Sequence, residues 1–113
     1  MNPPLSSWRI AGGFLFLSGQ GGFDANHKLV GDGVAQQTDQ IFRNVTALLH
    51  EHGASLDDIV SCLVHLVDLD DIAMFNEAYA KHFPDVKPVR TTVRADLLDG
   101  MRVEITIVAK TAS

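Results

Sequence analysis

Apolar and polar positions change their period several times along this chain, and each change marks an element. Residues 8–11, the pair Gly12-Gly13 and residues 14–18 read as strand, tight turn and strand, because a two-residue hairpin turn needs positive φ. Residues 19–33 hold five of the nine glycines with Asp24, Asn26 and Asp32, which is the composition of a loop. Lys28-Leu29-Val30 is a candidate short edge strand within it. Residues 34–52 carry Ile41, Val45, Leu48 and Leu49 at three- and four-residue steps, the apolar stripe of a helix. Gly53 is its stop, and His50 and His52 lie in the last turn, where positive charge is favoured. Ser55-Leu56-Asp57-Asp58 has the pattern of a capping box. Residues 59–67 are apolar at nearly every position, which predicts a strand buried on both faces. Asp70 or Asp71 would then cap a second helix reaching about Phe83, with Ile72, Phe75, Tyr79 and Phe83 inward. Pro84 and Pro88 break the chain after it.

The last third predicts a hairpin, residues 90–95 and 102–108 joined by 96–100. Alternation puts Val93, Ala95, Val103, Ile105 and Ile107 on one face, and Arg90, Thr92, Arg94, Arg102, Glu104 and Thr106 on the other. Pairing centred near Leu97 would set Arg90 opposite Glu104. A guanidinium is a fork for a carboxylate and a glutamate can hold water, so the pair suggests a site for a small acid. Opposed Arg and Glu are also common surface furniture, and an exposed pair contributes only about 0–1 kcal/mol. The order ββ(β)αβαββ over residues 1–113 gives a single α+β domain, a two-layer sandwich with two helices on one face of a mixed sheet. Its other sheet face is left uncovered, which implies an oligomer, a ligand surface, or both.

Composition narrows the chemistry. The chain has 113 residues, enough for one core and not two. A formal charge of −5, with nine scattered Lys and Arg, disfavours nucleic acid, which is bound through basic stripes. No run approaches the ~20 apolar residues of a membrane span. The first seven residues lack the pattern of a signal peptide, so the cytoplasm is the default location. Cys62 stands alone, which excludes an internal disulfide, and its apolar neighbours mark a buried, inert thiol. Five histidines show no metal-ligand spacing. Ser18-Gly19-Gln20-Gly21-Gly22 lets backbone N–H groups approach a ligand, but it lacks the lysine of a phosphate loop. Gln36, Gln40 and Asn44 make one polar stripe on the first helix, and most such stripes are solvated. Asn76 and Tyr79, three apart on the second helix, have a plain reading too, as residues that tie that helix to a loop.

Taken in order, certain segments resemble the RidA (YjgF) family of reactive-intermediate imine deaminases, some of whose members carry the name endoribonuclease L-PSP. They are Phe16-Leu17-Ser18-Gly19-Gln20, then Gln36, Gln40 and Asn44, then residues 53–60, Asn76-Glu77-Ala78-Tyr79, Phe83, Pro88-Val89-Arg90-Thr91-Thr92-Val93 and Val103-Glu104-Ile105. The match covers nearly the whole chain from Pro4. The resemblance implies a chorismate-mutase-like fold and a homotrimer with ligand clefts between subunits. It also implies hydrolysis of small 2-imino acids, of the 2-iminopropanoate and 2-iminobutanoate type, to a 2-oxo acid and ammonia, with no metal or organic cofactor. Arg90 would hold the substrate carboxylate and Glu104 the attacking water, while Ser18, Gly19, Thr92, Asn76 and Tyr79 would shape the pocket. Leu5 stands where the family has a tyrosine, Thr91 and Thr92 where it has serine and cysteine, and Thr106 where it has a second glutamate. The changed N-terminal position implies a different pocket shape or substrate range. A non-catalytic carboxylate-binding trimer is the alternative that Leu5 favours, and ribonuclease action is a third reading that the acidic charge opposes.

Overall fold

The computed structural model describes residues 3–111. Strands β1 (Trp8–Ala11), β2 (Phe14–Leu17), β3 (Ile59–Leu66), β4 (Val89–Arg94) and β5 (Val103–Lys110) form one sheet in the order β1-β2-β5-β3-β4. Helices α1 (Val34–Glu51) and α2 (Ile72–Ala80) pack on one face, so the two-layer α+β architecture stands. Gly12 and Gly13 turn the first hairpin at φ 59° and 82°. Of the edge strand expected at Lys28-Leu29-Val30, a single bridge between Phe23 and Leu29 forms. No helix among the described residues is long and apolar enough to cross a membrane.

The final two strands do not make the hairpin that their sequence suggests. β5 lies antiparallel between β2 and β3, while β4 runs parallel to β3 at the sheet edge. Two properties of the sequence account for this. β5 buries Val103, Ile105, Ile107 and Ala109 at every second position, which suits a strand with neighbours on both sides. β4 carries two arginines in six residues and buries none fully, which suits an edge. The helix α2 is the crossover that a parallel β3–β4 pair requires. As a result Arg90 lies in register with Cys62, and Glu104 with His65. The expected Arg90–Glu104 cross-strand pair does not exist in one chain. Val93 also leaves the predicted core face and is exposed.

β3 departs from expectation in a related way. Cys62, Val64 and Leu66 are buried beneath the helices, but Val60 and Leu63 are exposed. The strand is apolar on both faces, yet this chain covers only one of them. Phe14 and Phe16 on β2 join Leu63 and Val93 on the open side. The core on the other side unites Leu15, Ile41, Phe42, Val45, Phe75, Ile105 and Ile107.

Helix α2 is fixed by polar contacts at both ends. Neither Asp70 nor Asp71 caps it through a side chain. Asp68 instead accepts from the Asp70 N–H in the preceding 3-10 turn, and the Asp71 carboxylate pairs with Arg102 at 2.9 Å. After α2, Asp39 of α1 accepts from His82 Nε2 at 2.9 Å and from Lys81 Nζ at 3.3 Å. Burial alone would raise the Asp39 pKa, but the His82 and Lys81 contacts outweigh it and hold the carboxyl below the usual range. A lowered carboxylate pKa stabilises the fold above the unfolded value and stops doing so as pH falls through the folded one. Asp39→Asn should therefore destabilise the protein most at neutral pH, and the gap from wild type should shrink below about pH 4. Denaturant midpoints measured between pH 7 and pH 2.5 test this.

Candidate functional site

Arg90 projects from β4 toward the helical layer and not toward the open face. Its guanidinium carbon sits 4.9 Å from the Tyr79 ring centroid and 5.3 Å from that of Phe75. Both rings belong to the inward stripe of α2, so the positions that build the core also make an aromatic shelf for the cation. Such contacts contribute about 0.5–2 kcal/mol each. The larger consequence is order, because an arginine carries roughly 2 kcal/mol of rotamer entropy that a free side chain loses when it grips a ligand. Among the described residues no carboxylate pairs with Arg90. A cavity of 250 Å³ opens beside it, lined by Asn76, Tyr79, Ala80, Phe83, Lys87 and Arg90.

Cys62 lies against Tyr79 of this shelf. Burial raises the pKa of the Cys62 thiol, and the Tyr79 phenol and Arg90 only partly oppose it. Burial and the neighbouring thiol likewise push the Tyr79 phenol well up. Cys62 is thus the protonated, inert thiol its sequence setting predicts. The Tyr79 hydroxyl is buried against the Cys62 thiol.

Glu104 occupies the other side of the sheet. Gly19 and Gln20 continue alongside β5, and Gln20 exchanges two backbone hydrogen bonds with Ile105. The Glu104 carboxylate lies over Gly19, where a Cβ would fall 2.7 Å from its Cδ. Glycine is required there for close approach. Glu104 lines a second cavity of 510 Å³ with Gly19, Gln20, Phe23, His27 and Met101 among its walls. Gln40 and Asn44, whose spacing reads as a solvated stripe, line it as well. Gln40 donates to Asn44 Oδ1 at 2.9 Å, and Asn44 donates to the Phe23 carbonyl at 2.8 Å, which pins the glycine-rich loop to α1. The signal was the i, i+4 amide pair itself, on the helix that follows the glycine-rich loop.

The two candidate groups are therefore far apart. Arg90 and Glu104 are separated by β3 and offset by three residues, about 14 Å between Cα atoms at standard strand spacings, on opposite faces. Thr92 shares the Arg90 side and is half-buried in register with Val64. Asn76 and Tyr79 join the Arg90 cavity, whereas Gly19 joins that of Glu104. Ser18 lines neither, since its hydroxyl donates to the Ser6 carbonyl at 2.5 Å and anchors the N-terminal segment. Leu5 is exposed and lines neither cavity. Among the described residues no group of three or more His, Cys, Asp or Glu is placed to hold a metal ion.

The sequence model of the endoribonuclease L-PSP family matches residues 3–111. The chain belongs to this family, also named RidA/YjgF. A RutC family protein of Saccharolobus solfataricus is 36% identical over 109 residues, covering 95% of this chain and 86% of that one. Among solved structures, a Rid family protein of unknown function, YyfA from Yersinia pestis, superposes with a TM-score of 0.92 at 29% identity, covering 98% of this chain and 90% of that one. Yeast Mmf1 superposes at 0.91 with 33% identity and the same coverages. The fold is accordingly the chorismate-mutase-like sandwich of the RidA/YjgF proteins.

Gly19→Ala isolates the role of the close approach. The intruded atoms are the far end of a flexible side chain, so stability should change by less than about 1 kcal/mol. The Glu104 carboxylate should swing away from residue 19 in the crystal structure of the variant. An unmoved carboxylate would show that the approach imposes no constraint.

Proposed function

We propose that the protein hydrolyses reactive 2-imino acids to 2-oxo acids and ammonia, in clefts formed where subunits of a homotrimer meet. One observation carries the reading. An arginine with no carboxylate partner, preset on an aromatic shelf, and a glutamate held over a glycine occupy opposite faces of a sheet whose open side is apolar. Neither group completes a site alone. This reading requires that Phe14, Phe16, Leu63 and Val93 pack against another copy so that the edge strand of one protomer meets the Glu104 cavity of its neighbour. Interfaces of this kind are apolar at their centre and closed by symmetry. Family membership supports the same reading, because the residues matching the deaminase members are present at Arg90 and Glu104.

The chemistry asks little of the protein. Arg90 binds the substrate carboxylate through two parallel N–H donors, which fixes the imine carbon. Glu104 accepts a hydrogen bond from water and takes its proton as oxygen attacks that carbon. The C=N π bond opens, giving a tetrahedral amino alcohol. Glu104 hands that proton to the nitrogen, then takes the hydroxyl proton and passes it to nitrogen as well, so that ammonia leaves as the C=O bond forms. Positioning and one general base suffice, because an imine is already electrophilic.

A second reading has its own support in Leu5, which replaces the family tyrosine and lines neither cavity: a trimer that binds 2-oxo or related acids without turnover. The name endoribonuclease finds less support, since an acidic chain lacks the basic stripe that RNA phosphates need.

The test uses freshly generated 2-iminobutanoate with semicarbazide trapping of the imine. Wild type should shorten the imine lifetime. Glu104→Gln should lower the acceleration by about a hundredfold or more, as for loss of a general base, and Arg90→Ala should do so mainly through KM. Mass in solution should be three times the 12.3 kDa chain. An unchanged lifetime with saturable binding of 2-oxobutanoate would favour the binder, and a monomeric mass would remove the cleft.

A further inference from the structure

We infer that the Arg90 cavity is built for a dianionic substrate, a 2-imino acid bearing a second carboxylate, with Lys87 as the anchor for that second group. The inference rests on the proposed reading for the reaction, but its own ground is the composition of one cavity. Six residues line it, and two of them, Lys87 and Arg90, are cations. No acidic side chain lines it, although carboxylates outnumber Lys and Arg by fourteen to nine in the chain. Two of the other described cations find acids, Lys81 at Asp39 and Arg102 at Asp71. Lys87 and Arg90 do not.

What the two cations touch instead leaves their charge unanswered. Arg90 lies on the faces of Tyr79 and Phe75, a contact that leaves its in-plane N–H groups available. Lys87 Nζ donates to the Phe83 carbonyl at 3.3 Å, a long bond that uses one of three donors. The carbonyl belongs to the turn after α2, so the bond holds the ammonium at the cavity wall. Tyr79, Ala80 and Phe83 supply the remaining apolar lining, against which the two exposed cations stand. At 250 Å³ the space lies below the roughly 300–1,000 Å³ of drug-sized pockets, so the ligand is small. A short chain with an acid at each end meets these conditions. Asn76, at the rim, offers a donor and an acceptor for the imine end or the second acid.

The experiment compares two imines made in place by amino acid oxidases, 2-iminoglutarate and 2-iminobutanoate, with wild type and Lys87→Met. Methionine keeps the length of the lysine stem, and thermal melts confirm that the variant folds. Wild type should show the higher kcat/KM for 2-iminoglutarate. In Lys87→Met the ratio of the two kcat/KM values should fall by about tenfold or more, as for loss of a charge-assisted contact. Active wild type with no preference for the diacid, or a ratio that Lys87→Met leaves within about twofold, overturns the inference and leaves the deaminase reading intact. If neither imine is hydrolysed, the deaminase reading fails, and calorimetry with 2-oxoglutarate and 2-oxobutanoate decides the cavity. Tighter binding of the diacid, lost in Lys87→Met, supports the two-cation site, and equal or absent binding overturns it.

Discussion

Strand β5 sits in the middle of the sheet, and its two faces are unlike. One side of it, Val103, Ile105, Ile107 and Ala109, is sealed under the helices. The other carries Glu104 and Thr106 on a face that the chain leaves open. This placement interposes β3 between Arg90 and Glu104 and fixes them on opposite surfaces. Both side chains are held by elements that cannot move independently, because each is a strand of a single hydrogen-bonded sheet. On the proposed reading the protein must therefore assemble before it can act, and association becomes part of the site and not merely of its stability.

The two halves are prepared by different physics. Arg90 is ordered by polarisable ring faces that satisfy its charge in part without using its hydrogen-bond donors. Glu104 is ordered by the absence of a side chain at Gly19, in a cavity whose walls depend on the Gln40–Asn44–Phe23 chain. The clamp from Asp39 to Lys81 and His82 holds the end of α2, and with it the shelf. Stability and function thus share residues: Phe75 and Tyr79 fill the core and carry the cation.

Much of the architecture is written in local periodicity. The Gly12-Gly13 turn, the α1 stripe, the Ser55–Asp58 capping box and the alternation of β5 each depend on neighbours within a few residues, and each forms as the pattern predicts. Strand pairing is not local. A polar strand, a short loop and an apolar strand look like a hairpin, but the crossover through α2 sets β4 on the far side of β3, which lies between β4 and β5. The misplacement of Arg90 and Val93 follows from that one error. β3 is apolar on both faces, yet Val60 and Leu63 face a side that nothing among the described residues covers. The roles of Asp68 and Asp71 were unreadable because an aspartate can cap a turn or meet a distant arginine with equal ease.

Subunit complementation tests the composite site most directly. The Arg90→Ala and Glu104→Gln variants, assayed at substrate concentrations where each is nearly inactive alone, are unfolded, mixed in equal amounts and refolded together. If Arg90 and Glu104 of one site come from different protomers, the mixture should regain about a quarter of wild-type imine hydrolysis, because one interface in four joins two intact groups. A mixture as inactive as its parents, under conditions where the mixed trimers are shown to form, would mean that both groups serve the same subunit's site and would contradict the account.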